Sequence, residues 1–152
     1  MGPVLAFHRI SDDDAARITA DAEAAFDLID QLDREGEPTG DIDKAWDGLR
    51  YLLSAANIDL DLYGDLDPWA GDSDTRVWTA TQVAAAAHTL TTTPYRVLDE
   101  HFDPVAMDDA DIYPEIWDTD FCRAYLREHY ESLSAFFVSA AERNSQAVAM
   151  FH

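Results

Sequence analysis

The chain has one cysteine, Cys122, and one lysine, Lys44, among its 152 residues. A lone cysteine closes no internal disulfide, so the sequence asks for no oxidising compartment. No apolar run approaches the roughly 18 residues that a membrane-spanning helix needs. The opening Met1-Gly2-Pro3-Val4 shows neither the basic start nor the apolar stretch of a secretory signal. The expectation is therefore a cytoplasmic protein. Glycine is scarce, and neither a phosphate loop of the GxxxxGK[ST] kind nor a GxSxG nucleophile elbow occurs. His8, His88, His101, His129 and His152 form no HxxxH, HExxH or cysteine-linked zinc spacing. No catalytic residue, metal or cofactor is expected from these absences.

Negative charge is abundant. Thirty-one acids oppose ten bases, for a formal charge of −21. Such a chain repels phosphate backbones and anionic lipid, which argues against nucleic-acid and membrane partners. The charge has two readings, solubility in a salty cytoplasm and an acidic face that steers onto a basic protein partner. With 47% hydrophobic residues and four tryptophans the chain can fill one core. Its length suits a single domain, residues 1–152.

Patterning predicts an α+β fold: a small mixed sheet of about three short strands, covered by about five helices, the longest near the C-terminus. Strands are expected over 4–10, 76–78 and 146–151. Ser11 caps a helix whose stripe is Ile18, Ala22, Ala25, Phe26, Ile29 and Leu32. Gly36, Pro38 and Gly40 break the chain, and a second helix runs from about Asp43 to Ala56, capped by Asp41 or Asp43. Residues 58–74 read as a long acidic loop. Thr79 and Gln82 form a capping box for a helix to about Leu90. Pro94 starts a shorter one at its first helical position. Residues 106–117 look irregular, and Asp118 or Thr119 opens the long helix to about Arg143.

Two stretches carry a family resemblance. Asp41-Ile42-Asp43-Lys44-Ala45-Trp46-Asp47-Gly48-Leu49, followed by Leu52-Leu53, and Ile112-Tyr113-Pro114-Glu115-Ile116-Trp117 resemble signatures of the YfbM-like bacterial proteins. The order of elements is similar along essentially the whole chain. The resemblance implies a small single-domain α+β protein and carries no catalytic residues, because that family's activity is uncharacterised.

The candidate site follows from the same stretches. Trp46 belongs on a core-facing helix, whereas Tyr113 and Trp117 fall in an irregular loop, where large aromatics need a reason. They either plug the loop onto the helices or line a pocket rimmed by Asp43, Asp111 and Glu115, suited to a cationic or planar ligand. Lys44, the sole lysine, stands inside the first motif. Asp59, Asp61, Gly64 and Asp67 match part of a calcium loop, but Tyr63 and Ala70 occupy two ligand positions. Two functions are carried forward. One is a non-enzymatic acidic protein that binds a basic protein partner. The other is a small-molecule binder or small hydrolytic enzyme using the pocket near Trp46, Tyr113 and Trp117. Oligomeric state is not legible.

Overall fold

The computed structural model describes residues 2–21, 23–29, 37–69 and 75–152. Ala22, Leu32, Gly36, Ala70 and Gly71, together with the side chains of Phe26 and Ile29, lie outside the described residues. Four strands form one sheet: β1 (Leu5–Ile10), β2 (Gly40–Asp41), β3 (Thr75–Trp78) and β4 (Gln146–Phe151), in the order β2-β1-β4-β3. All three pairings are antiparallel, so the sheet is not mixed. The fourth strand escapes the sequence because two residues are too few to show a period-2 pattern.

Register sends alternate residues to two different cores. Leu5 and Phe7 on β1, Trp78 on β3, and Ala147, Ala149 and Phe151 on β4 join the large aromatic core. Ile10 and Val148 face the other way, into a small cluster with Ala15, Ile18, Ala25 and Leu28. The helices α1 (Asp12–Ala20) and α2 (Ala24–Ile29) cover that second face. Ser11 and Asp14 cap α1 reciprocally.

A single helix was expected through this region, and the chain instead breaks at Asp21. The Asp21 backbone is extended, its N–H closes the last turn on Arg17, and its carboxylate accepts the Glu23 N–H at 3.1 Å. An aspartate that binds the backbone two residues on offers the chain an alternative to helix. No glycine or proline announces the break.

The large core lies between the sheet and α3 (Trp46–Ala55), α4 (Ala80–Thr92), α5 (Tyr95–Asp99), α6 (Pro104–Asp109) and α7 (Cys122–Glu142). α7, the long helix, supplies Leu126, Tyr130, Leu133 and Phe137 as its inward stripe. The Thr79–Gln82 capping box opens α4 as expected. Pro94 has extended backbone and precedes α5, so that helix starts one residue later than its sequence suggests. α6 is an addition to the expected set. Asp103 accepts the N–H groups of Val105 and Ala106, with Pro104 at the first helical position. α7 begins at Cys122 rather than near Thr119, because the Thr119 hydroxyl donates back to the Ile116 carbonyl instead of capping forward.

Candidate functional site

The two motif stretches meet at one end of the sheet. The indole of Trp46 is 2% exposed and stacks on Tyr113 at 5.4 Å with 28° between planes. Tyr63 and Phe151 meet Trp46 edge-on at 5.6 and 4.9 Å. Its indole N–H donates to the Pro3 carbonyl at 3.0 Å, which ties the first residues of the chain over the stack. Gly2 is placed so close to the Tyr113 hydroxyl that a Cβ there would collide with it.

Trp117 belongs to the same region but not to the stack. It is 1% exposed, donates its indole N–H to the Ile112 carbonyl at 2.7 Å, and abuts Gly48 of α3. Close approach requires glycine at this point: a Cβ on residue 48 would be 2.5 Å from the Trp117 ring and 2.8 Å from Leu126. Two of the three expected aromatics are therefore sealed in the core, and only Tyr113 reaches the surface.

Outside Tyr113 is Trp69, which meets it edge-on at 5.4 Å and is 65% exposed. Trp69, Tyr113 and Trp46 make a ladder running from solvent into the core. Carboxylates surround it. Asp47, nearly buried, accepts the Tyr113 N–H at 2.9 Å and pairs with Arg50 at 2.7 Å. Asp67 accepts the Trp69 N–H at 2.9 Å. Asp111 and Glu115 flank Tyr113 in sequence and are exposed. Burial raises the Tyr113 phenol above its ordinary value, and the nearby Asp43 carboxylate adds to the shift.

Asp43 and Lys44 are held by α7. The Tyr125 hydroxyl donates to the Asp43 carboxylate at 2.7 Å and accepts the Lys44 backbone N–H at 3.1 Å. Burial, and then the hydrogen bond to Asp43, push the Tyr125 phenol well up. Thus Lys44 contributes its backbone here.

Backbone geometry sorts the acids further. Five described non-glycine residues have positive φ: Asp43, Asn57, Asp111, Glu115 and Asn144. Asn57, Asp111 and Asn144 each follow a helix and close it with the paired carbonyl bonds of a Schellman cap, such as Asp111 to Asp108 and Ile112 to Met107. Their left-handed backbone is accounted for by helix termination. Asp43 (φ 51°) and Glu115 (φ 64°) are not such caps. They hold the left-handed region within the ladder's two motifs, at a cost of about 1–2 kcal/mol each.

Two acids of the partial calcium match are used on turns: Asp61 accepts the Gly64 N–H at 2.9 Å, and Asp67 accepts the Trp69 N–H. Among the described residues no three His, Cys, Asp or Glu side chains are grouped to hold a metal ion. No helix of the described residues is long and apolar enough to cross a membrane.

Sequence reasoning missed Trp69, Asp47 and Tyr125. Trp69 stands in a loop with no period to interpret. Tyr125 is one residue off the inward stripe of α7, and its partner Asp43 is 82 positions away. Asp47 carried the one usable signal, an acid directly after a buried tryptophan on a helix.

A family model described as a domain of unknown function, DUF1877, matches residues 1–150. The chain belongs to this family. Among solved structures it is similar to YfbM from Escherichia coli, a protein of unknown function, with a TM-score of 0.71 and 18% identity. That match covers 98% of this chain and 99% of YfbM. At that identity the likeness establishes the fold. It agrees with the YfbM-like resemblance of the two motifs. No curated protein matches the chain.

Proposed function

We propose that the protein is a non-catalytic binding module whose acidic, aromatic face around Trp69 and Tyr113 receives a basic segment of a protein partner. The observation that carries this reading is Trp69 itself. A tryptophan 65% exposed, yet braced edge-on by Tyr113, has the position of an interface anchor. Tryptophan and tyrosine carry much of the binding energy in protein interfaces, and their faces also attract guanidinium and ammonium groups. Asp67 beside Trp69, with the exposed Asp111 and Glu115 flanking Tyr113 in sequence, contributes negative charge, and the −21 net charge steers a cation toward the face. We place this interaction in the cytoplasm, where the buried thiol of Cys122 stays reduced.

The test is a titration with an arginine- and lysine-rich peptide, followed by tryptophan fluorescence at low and high salt. Binding should weaken as salt rises, since exposed charges are screened over about 8 Å at physiological ionic strength. Any polycation is drawn to so acidic a chain, so the deciding variant leaves the charge unchanged. Trp69→Ala should weaken binding about tenfold or more, as loss of an anchor does. Equal binding by the wild type and Trp69→Ala would refute the assignment of this face.

A further inference from the structure

The acid surplus is reversed locally in one groove. Three of the nine arginines, Arg96, Arg123 and Arg127, line a single groove of about 530 Å³ between α5 and α7. Arg123 and Arg127 are one helical turn apart and share a face of α7. Arg123 pairs with Asp99 at 3.4 Å and lies over the Phe102 ring at 4.8 Å. Arg127 pairs with Glu131 at 2.8 Å. Arg96 has no carboxylate partner among the described residues. The groove thus keeps a surplus of positive charge on a chain of −21.

A second feature of the groove is independent of the arginines. Tyr95 lines it and is 8% exposed, and its buried hydroxyl has no hydrogen-bond partner among the described residues. Its neighbour Tyr130 shows the ordinary solution, donating to the Thr93 carbonyl at 2.6 Å. A buried phenol left without an acceptor destabilises the fold, and such a group calls for a missing partner. The two carboxylates of the groove, Asp99 and Glu131, are paired with Arg123 and Arg127, and its other polar side chains are donors: the Tyr95 O–H, the Arg96 guanidinium, and the remaining N–H groups of Arg123 and Arg127. What completes a set of donors is an acceptor carrying negative charge.

We propose that this groove binds the phosphate group of a small molecule, with Arg96, Arg123 and Arg127 neutralising its charge and the Tyr95 hydroxyl donating to one of its oxygens. Guanidinium forks match phosphate geometry, and a volume of about 530 Å³ leaves room for an organic remainder beyond the phosphate. Because Trp69 and Tyr113 line other surfaces, this site stands or falls separately from the acidic face.

The experiment is a titration of the full chain with inorganic phosphate and pyrophosphate, followed by amide NMR shifts at fixed ionic strength. Citrate and chloride serve as comparison anions. Saturable shifts confined to residues 94–99 and 122–131 are expected, with pyrophosphate tighter than phosphate. Arg96→Ala, at an exposed position, should weaken binding about tenfold, the scale of a hydrogen bond to a charged group. Tyr95→Phe should weaken it severalfold while leaving the unliganded protein at least as stable as the wild type. A purely structural tyrosine would instead lose stability on that change. The proposal is overturned if no saturable shift occurs, if chloride or citrate reproduces the shifts at equal affinity, or if both variants bind as the wild type does.

Discussion

Three of the four tryptophans are sealed and one is not. Trp46, Trp78 and Trp117 are 1–3% exposed, whereas Trp69 is 65% exposed. Two of the sealed indole nitrogens, those of Trp46 and Trp117, donate to the backbone carbonyls of Pro3 and Ile112, whereas that of Trp78 has no hydrogen-bond partner among the described residues. Trp78 has Arg76 over its ring at 4.5 Å. Trp69 shares the ladder with Trp46 through Tyr113, its backbone held by Asp67 and its ring braced edge-on by Tyr113. One end of the ladder is built into the fold. The other end is presented by it, and an aromatic ring kept in water at that expense of solubility is a reason to look for a partner there.

Stability measurements can break this comparison. Trp117→Ala should cost about 3–5 kcal/mol in urea unfolding, because it removes a fully buried ring and leaves a cavity between α3 and α7. Trp69→Ala should change stability by less than about 0.5 kcal/mol, as surface substitutions do. Comparable losses in the two variants would show that Trp69 is structural and remove the basis for the interface.

A smaller effect sharpens the inner end. Gly48→Ala would place a methyl 2.5 Å from the Trp117 ring, which its bond to Ile112 prevents from swinging away. Overpacking costs about 1–3 kcal/mol, and the better helix propensity of alanine returns about 0.5–1 kcal/mol. A net destabilisation on the order of 1 kcal/mol is expected from thermal or chemical unfolding. A stabilised variant would mean that the α3–Trp117 contact is looser than its geometry.

Tyr125→Phe tests the strap between α7 and the first motif. The change removes the donor to Asp43 and the acceptor of the Lys44 N–H, so about 1–2 kcal/mol should be lost. Hydrogen exchange at the Lys44 amide should quicken. Unchanged exchange there would imply that the left-handed turn at Asp43 is held by other contacts, of which the Asp41 carboxylate on the Asp43 N–H is the first to examine.

Legibility followed range along the chain. Capping at Ser11 and Thr79 and the presence of α3, α4 and the long helix α7 are local patterns, and each was readable from consecutive residues. Asp21 was not, because an aspartate inside a helical pattern is ordinarily a solvated side chain and becomes a breaker only when its carboxylate turns back to the chain. The site divides the same way. Trp46 and Tyr113 could be singled out as motif aromatics, but their stacking, and the reach of Tyr125 to Asp43 across 82 positions, depend on packing that leaves no periodic trace. Trp69 was invisible for the opposite reason: an exposed residue obeys no burial pattern.

The smallest expected effect concerns a group away from the ladder. Burial holds the His8 imidazole below its ordinary pKa; the His152 charge acts in the same direction and Asp41 against it. His8 is on the sheet face of Ile10 and Val148 and pairs with Val148, while Ala6, two residues back on the same strand, pairs with Asp41. Since the folded state takes up its proton less readily than the unfolded chain, the unfolded state gains protons first as pH falls. The stabilisation tied to neutral His8 is therefore complete above the unfolded value, about 6.5, and is lost as pH drops through the lower folded value. Urea unfolding at pH 7.5 and at steps below 6.5 should show this as a shallow decline that His8→Gln removes. Trp69→Ala should leave the decline as it is in the wild type. If it alters the slope instead, the exposed tryptophan is coupled to the sheet, and the separation between a built end and a presented end of the ladder fails.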